Sequence, residues 1–203
     1  DDDGDTCDDC SSGSYDASND GTDFDCDGTC DAGDDSAGGE ITLNFSNATE
    51  TTIDIDYSLS GCQGVSGFQF HVEGVALSGA SSDFETSSGN NNVIGFSLTG
   101  DQLAAGEGDL ASLTFLADLD GASISLSDLI IGSTGGQEVT VYGPGSADIA
   151  PCTNFDLDDL CDIDADGDDD NDGSVDADDS DDNNEFECSD DDGDTCDDCS
   201  AGT

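Results

Sequence analysis

Ile53-Asp54-Ile55-Asp56-Tyr57-Ser58-Leu59 places an apolar side chain at every second position and a polar one between. A strand turns successive side chains to opposite faces, so this heptad predicts a strand with one face in a core and the other in water. Ile41, Leu43 and Phe45 alternate in the same way. Short apolar runs follow at 68–72, 75–77, 93–98, 110–116, 124–126, 129–131 and 139–142, separated by Gly, Ser and Asn. About nine short strands with turn residues between them predict an all-β protein, closed as an antiparallel β-sandwich or jelly roll.

In Phe68-Gln69-Phe70-His71-Val72-Glu73 the aromatic and aliphatic residues take the inward positions, which turns His71 outward with Gln69 and Glu73. His71 is the one histidine, so a Ser-His-Asp relay could run only through it, and no nucleophile is placed beside it. With Asp this abundant, paired-carboxylate chemistry has no distinguishing signal either. The chain is therefore expected not to be an enzyme.

Outside this segment the composition changes. The chain of 203 residues carries 52 acidic side chains and neither Lys nor Arg, for a formal charge of −52. Two carboxylates about 6 Å apart repel by roughly 0.7 kcal/mol in water and roughly 3 kcal/mol at an effective dielectric near 20. A compact chain of this charge requires bound cations. The same charge excludes nucleic acid, whose phosphates need Lys and Arg, and anionic membrane surfaces. The longest aliphatic run, Leu129-Ile130-Ile131, is far short of the roughly 18 residues of a membrane helix. No signal-peptide pattern opens the chain, so a mature or excised segment is expected.

The acid is unevenly spread: 15 residues in 1–40, 14 in 41–153 and 23 in 154–199. The expected domains are an acidic flank over 1–39, a sandwich over 40–152 and a second acidic flank over 153–203. The flanks have too few apolar side chains to build a core of their own.

Within the first flank, Asp23-Phe-Asp-Cys-Asp-Gly-Thr-Cys-Asp-Ala-Gly-Asp34 has acidic residues at positions 1, 3, 5, 9 and 12 and Gly28 at position 6. Alternating Asp residues aim oxygens at one centre, and Gly permits the turn that closes the loop, which is the spacing of a Ca²⁺ loop. The candidate ligands are Asp23, Asp25, Asp27, Asp31 and Asp34. A weaker copy, Asp16-x-Ser18-x-Asp20-Gly21, has Phe24 at position 9. In the second flank Asp168, Asp170, Asp172, Gly173, Asp176 and Asp179 repeat every position. An overlapping register through Asp162, Asp164, Asp166, Gly167 and Asp170 suggests neighbouring ions sharing Asp170. Gly167, Gly173 and Gly193 each have Asp immediately before and again three residues before, which adds Asp190 and Asp192. Several Ca²⁺ ions are expected, since hard oxygen donors without His suit Ca²⁺ better than a transition metal.

These loops resemble thrombospondin type 3 repeats, whose helix-free Ca²⁺ loops are tied by disulfides. The resemblance rests on Asp23, Asp25, Asp27, Gly28, Asp31 and Asp34; an EF-hand would need Glu at position 12 and flanking helices. Over roughly 41–150, the phrases Val65-Ser-Gly-Phe-Gln-Phe70, Val93-Ile-Gly-Phe-Ser-Leu98, Leu103-Ala-Ala-Gly-Glu-Gly-Asp-Leu110 and Leu113-Thr-Phe115 are similar to cohesin-like sandwich domains of bacterial surface proteins. That resemblance implies a dockerin-type partner, with a polysaccharide as another.

Ten Cys in acidic surroundings predict a secreted disulfide scaffold. One scheme pairs Cys7 with Cys26 and Cys10 with Cys30; a zinc site on the same four is the alternative. Cys62 is expected to pair with Cys152, stapling the ends of the sandwich, and Cys161 with Cys188. Asn44-Phe-Ser46 and Asn47-Ala-Thr49 are glycosylation sequons.

The decapeptide Asp1–Cys10 returns letter for letter at Asp190–Cys199, and 12 of the 14 residues in 1–14 match those in 190–203. Self-similarity at a fixed offset, here 189 residues, marks array architectures. The expected partner is another copy of the unit, joined covalently or by head-to-tail docking, in an extracellular or cell-surface Ca²⁺-stabilised filament or stalk. The alternative is a cohesin-like binding module on Ca²⁺-stiffened spacers.

Overall fold

A computed structural model describes residues 2–17, 20–136, 138–163 and 166–187. The expected ligands Asp164, Asp190 and Asp192, together with Cys188 and the terminal decapeptide, lie outside the described residues. Among the described residues there are ten strands and no helix: β1 (Glu40–Ser46), β2 (Thr52–Leu59), β3 (Val65–Glu73), β4 (Leu77–Ser81), β5 (Glu85–Gly89), β6 (Asn92–Phe96), β7 (Gly106–Phe115), β8 (Ala122–Ser133), β9 (Thr140–Tyr142) and β10 (Ser146–Ile149).

They form an all-β sandwich of two five-stranded sheets, ordered β4-β7-β2-β1-β9 and β10-β8-β3-β6-β5. Pairing is antiparallel except between β1 and β9, which run parallel over three residues. The alternation in Ile53–Leu59 works as expected: Ile53, Ile55, Tyr57 and Leu59 are buried, with Asp54 and Asp56 on the outer face. Ile41, Leu43, Phe70, Val72, Leu110, Leu113, Ile124 and Ile131 complete the core from both sheets. Burying each such side chain contributes about 1.5–3 kcal/mol. Phe68 stacks on Phe70 and Phe84 at centroid distances of 5.6 and 6.2 Å.

Two expected strands, 124–126 and 129–131, are one. Asp128, at φ +52°, sits in the middle of β8, where the register to β3 shifts between Gln69 and His71. A bulge inserts one residue without ending the strand. His71 faces outward, its Nδ1 3.2 Å from Asn92 Oδ1.

The chain enters and leaves the sandwich at opposite ends. Glu40, the first residue of β1, lies beside Ser60, since the Ser60 N–H donates to the Glu40 carbonyl at 2.9 Å. Ile149, the last residue of β10, pairs with Ala122 at the start of β8, past the far end of β7. The ten residues of β7 separate these ends by about 30 Å at the strand rise of roughly 3.3 Å per residue.

That separation corrects the expected Cys62–Cys152 staple, because the two residues stand at opposite ends. Cys62 pairs with Cys26, and Cys161, expected with Cys188, pairs with Cys152. The Cys62 N–H donates to the Asp25 carbonyl at 2.8 Å, and the Cys152 N–H to the Asp118 carbonyl at 3.1 Å, so each is fastened to its own end. Cys7 pairs with Cys30, not Cys26, because the Cys30 N–H is held on the Asp5 carbonyl at 2.7 Å. Cys10 keeps an exposed free thiol, so neither the Cys10–Cys30 pairing nor the four-thiolate zinc site exists. Three disulfides are the usage typical of an oxidising compartment.

The first flank is seated on the entry end. The Phe24 ring occupies the space where a side chain at Gly135 would stand, and the Asp25 carbonyl and Cβ fill the equivalent space at Gly61, with the Asp25 side chain also in contact range of Gly39. Gly61, at φ +96°, accepts this approach only because it lacks a Cβ.

Candidate metal centre

The flanks contain four loops with one backbone design, beginning at positions 1, 23, 154 and 168. In each, the fourth and sixth residues are left-handed: Gly4 and Thr6 at φ +84° and +76°, Cys26 and Gly28 at +63° and +92°, Leu157 and Asp159 at +65° and +83°, Asn171 and Gly173 at +57° and +99°. In each, the N–H of the second residue donates to the carboxylate of the ninth: Asp2 to Asp9 at 2.9 Å, Phe24 to Asp31 at 2.7 Å, Phe155 to Asp162 at 3.1 Å and Asp169 to Asp176 at 3.0 Å. The N–H of the seventh donates to the carboxylate of the fifth, from Cys7, Thr29, Leu160 and Ser174, at 2.7–2.8 Å.

The loops at 23 and 168 are those expected from sequence. Asp23, Asp25 and Asp27 bring one carboxylate oxygen each within 4.8 Å of the others. The Gly28 N–H donates to Asp23 at 3.1 Å and the Gly173 N–H to Asp168 at 3.2 Å, so glycine at position 6 closes both loops. Asp31 has both oxygens occupied, by Thr22 Oγ1 at 2.6 Å and the Phe24 N–H at 2.7 Å, and these bonds hold its carboxyl below the usual range. Asp176, also at position 9, likewise holds backbone. Asp34 and Asp179 accept from the N–H two residues on, Ser36 and Asp181, each at 2.8 Å.

The loops at 1 and 154 lack glycine at position 6, which hid them from the sequence reading. Thr6 and Asp159 take the left-handed turn instead. They add Asp3, Asp5 and Asp9, and Asn154, Asp156 and Asp158. Asp20 joins Asp3 and Asp9 in one cluster. Gly21 serves packing, since a side chain there would collide with the Cys7–Cys30 disulfide. The overlapping register from Asp162 includes Asp164, outside the described residues, and departs from this design at two described positions. Gly167 has no left-handed φ, and Asp162 is the ninth residue of the loop at 154. Asp166, rather than Asp170, is common to two clusters, one with Asp156 and Asp158 and one with Asp162 and Asp169.

Carboxylates are the most deeply placed polar groups here: Asp20, Asp25, Asp169 and Asp170 are 3–7 % exposed. Burial, reinforced by neighbouring carboxylates, pushes Asp20, Asp25 and Asp170 above the ordinary range and Asp169 to about 6. Asp20 Oδ2, Asp34 Oδ2, Asp166 Oδ2, Asp168 Oδ1, Asp169 Oδ1 and Asp170 Oδ2 are buried without a hydrogen-bond partner. A buried carboxylate oxygen that accepts nothing is strongly disfavoured unless a cation meets it. The donor set is all oxygen, and the two thiols nearest an aspartate, Cys7 and Cys30, are consumed in a disulfide. These residues fit a hard divalent cation.

No protein-family model matches the sequence, and no curated protein does. Solved structures similar to the chain are cohesin modules. A non-cellulosomal cohesin from Archaeoglobus fulgidus is 14% identical over 55% of this chain and 91% of its own, with a TM-score of 0.40. The type I cohesin of a cohesin–dockerin complex from Clostridium thermocellum is 11% identical over 54% of this chain and 93% of its own, with a TM-score of 0.41. The cohesin module of a Clostridium perfringens glycoside hydrolase is 14% identical over 55% and 94%, with a TM-score of 0.39.

Proposed function

We propose that the chain is a Ca²⁺-stabilised structural repeat unit of an extracellular filament or cell-surface stalk, in which sandwiches alternate with cation-bound loops of the thrombospondin type 3 kind. The observation that carries this reading is the placement of the two flanks at opposite ends of the sandwich, each built from the same cation-loop design. A unit with entry and exit at opposite ends extends when repeated, and the returning decapeptide at 190–199 supplies the next copy's opening. Asp23, Asp25, Asp27 and Asp34 would hold one ion, Asp168, Asp170, Asp172 and Asp179 another, and Asp3, Asp9 and Asp20 a third. Ca²⁺ bound there neutralises carboxylates that have no Lys or Arg to oppose them. Single particles imaged during a chelator titration test this: loss of rigid length on Ca²⁺ removal is expected, and unchanged rigid particles sink it. A denaturing, non-reducing gel then separates covalent repeats, which give a very high mass, from docked separate chains.

A second reading, a cohesin-like binding module, is favoured by the contrast between the two outer faces. On the β4-β7-β2-β1-β9 sheet that face carries Thr42, Asn44, Asp54, Asp56, Ser58, Ser112 and Thr114, with one exposed aromatic ring, Tyr142, beside Thr42 at the β9 edge. On the other sheet Ile130 and Ile94 stand on either side of Gln69, with Phe96 two residues along β6, and the three apolar side chains are 42–50 % exposed. Without Trp, this aliphatic surface suits a dockerin-type protein better than a polysaccharide. Calorimetry against dockerin modules and against soluble polysaccharides decides it, with Ile130→Asp expected to abolish protein binding. Binding left intact by that change rules out this face.

A further inference from the structure

The two glycosylation sequons at the end of β1 are treated differently by the fold. In Asn47-Ala48-Thr49 both polar side chains build the β1–β2 turn. Asn47, at φ +49°, donates from Nδ2 to Asp54 Oδ2 at 2.9 Å. Thr49 Oγ1 accepts from the Thr52 N–H at 2.9 Å and bonds Thr52 Oγ1 at 2.7 Å. In Asn44-Phe45-Ser46 neither polar side chain has such a task. Asn44 is exposed on the outer face of β1, and its amide makes no hydrogen bond among the described residues. The Ser46 hydroxyl is buried without a hydrogen-bond partner, which costs stability and calls for a reason other than folding. We propose that Asn44 is an N-linked glycan attachment site and that Ser46 supplies the hydroxyl its sequon requires. This rests on the extracellular reading above, because the sugar is joined to exported chains.

The surroundings of Asn44 suit a sugar. β9 pairs with β1 only opposite Glu40–Thr42, so beyond Thr42 no described strand flanks β1 on that side. A bulky hydrophilic glycan shields this open edge, whose unpaired backbone groups otherwise invite another strand. Asp56 stands across from Asn44 in the β1–β2 register, and both line an open groove of about 420 Å³ that continues to Glu107 and Asp109 of β7. Its three carboxylates are acceptors for the hydroxyls of a first, neutral sugar residue. The step joins Asn44 Nδ2 to the anomeric carbon of a lipid-linked oligosaccharide, the donor used by an oligosaccharyltransferase. The bond from that carbon to the lipid phosphate oxygen breaks, its electron pair leaves with the phosphate, and one amide proton passes to a base of the transferase. The glycan then covers the polar outer face and leaves the face of Ile94, Phe96 and Ile130 bare.

The test is mass spectrometry of the protein taken from the cells that make it, cleaved before aspartate and fragmented by electron transfer, which leaves a sugar on its residue. A glycan mass on Asn44 with Asn47 unmodified is the expected result. An unmodified Asn44 overturns the site and leaves the Ca²⁺ reading of the flanks, which concerns other residues, standing. Sugar on both residues supports the Asn44 site and overturns the purely structural role of Asn47. A second measurement separates the two hydroxyls by denaturant unfolding of the full chain made in a host without the transferase. Ser46→Ala is expected to unfold at the wild-type midpoint or above it, and Thr49→Ala below it. A Ser46→Ala midpoint lowered as far as that of Thr49→Ala gives the Ser46 hydroxyl a folding role and overturns its assignment to the sequon.

Discussion

In the sandwich the deepest side chains are apolar, Phe70, Ile53 and Leu113 among them; in the flanks, apart from the disulfide cysteines, the buried side chains are carboxylates, Asp9, Asp20, Asp25, Asp169 and Asp170. Both regions bury what they are made of, but with opposite dependence on the surroundings. Apolar burial is favourable by itself. Carboxylate burial is unfavourable until something positive arrives, and this chain supplies no Lys or Arg. Folding of the sandwich is written into its sequence, whereas under the proposed cation reading folding of the flanks is shared between sequence and solvent.

Removing Ca²⁺ should break the comparison most sharply. X-ray scattering is expected to show the flanks expanding under chelator while far-UV dichroism of the sandwich stays unchanged; a chelated chain that keeps its dimensions would refute the cation account. Next in size, Leu113→Ala should cost the sandwich about 2–5 kcal/mol in denaturant unfolding, the range for a fully buried leucine. Ca²⁺ stoichiometry in that variant should be that of the wild type, and a loss of ions would mean the two regions are not separable.

Replacing Cys26 and Cys62 by Ser removes the weld across the 39/40 boundary. A closed loop of this separation, 36 residues, stabilises by roughly 2–4 kcal/mol. The expected result is faster proteolysis between residues 20 and 40 with the sandwich intact, whereas an unchanged cleavage pattern means that Phe24 and Asp25 hold the flank unaided. The smallest effect is in pH, and it runs in opposite directions in the two regions. Asp169, raised to about 6 in the fold against about 3.9 unfolded, contributes stability below about pH 4 that is lost as pH rises through 6 in Ca²⁺-free protein. Asp54, lowered by hydrogen bonds from Ser112 and Asn47, contributes above about pH 4 and loses it as pH falls through its depressed value. Amide exchange at about pH 2.5 and pH 7 without Ca²⁺ should therefore show more flank protection at the lower pH and more protection around β2 at pH 7; parallel changes in both would contradict the assignment.

How much could be read in advance followed the same division. Alternation located β1 and β2 because Ile41, Leu43, Ile53 and Ile55 each take the core side. It missed β5, whose Glu-Thr-Ser-Ser-Gly run has no apolar residue and is held by pairing to β6, and β10, which contributes only Ile149 to the buried core. In the flanks, glycine at position 6 revealed the loops at 23 and 168. Thr6 and Asp159 concealed their equivalents, because a left-handed turn at a residue with a Cβ leaves no compositional mark. Disulfide partners were illegible for another reason: Cys62 and Cys152 are separated by strand length, a distance that exists only once β7 has been placed between them.

Because β1 starts at one end and β10 finishes at the other, tension applied through the flanks runs lengthwise along the strands. Load from the first flank enters through the Cys26–Cys62 disulfide, which bypasses β1 and β2, so the hydrogen bonds of β3 to β6 and β8 and of β10 to β8 carry it together in shear rather than one after another as in a zipper. Such a bead resists pulling far more than its equilibrium stability suggests.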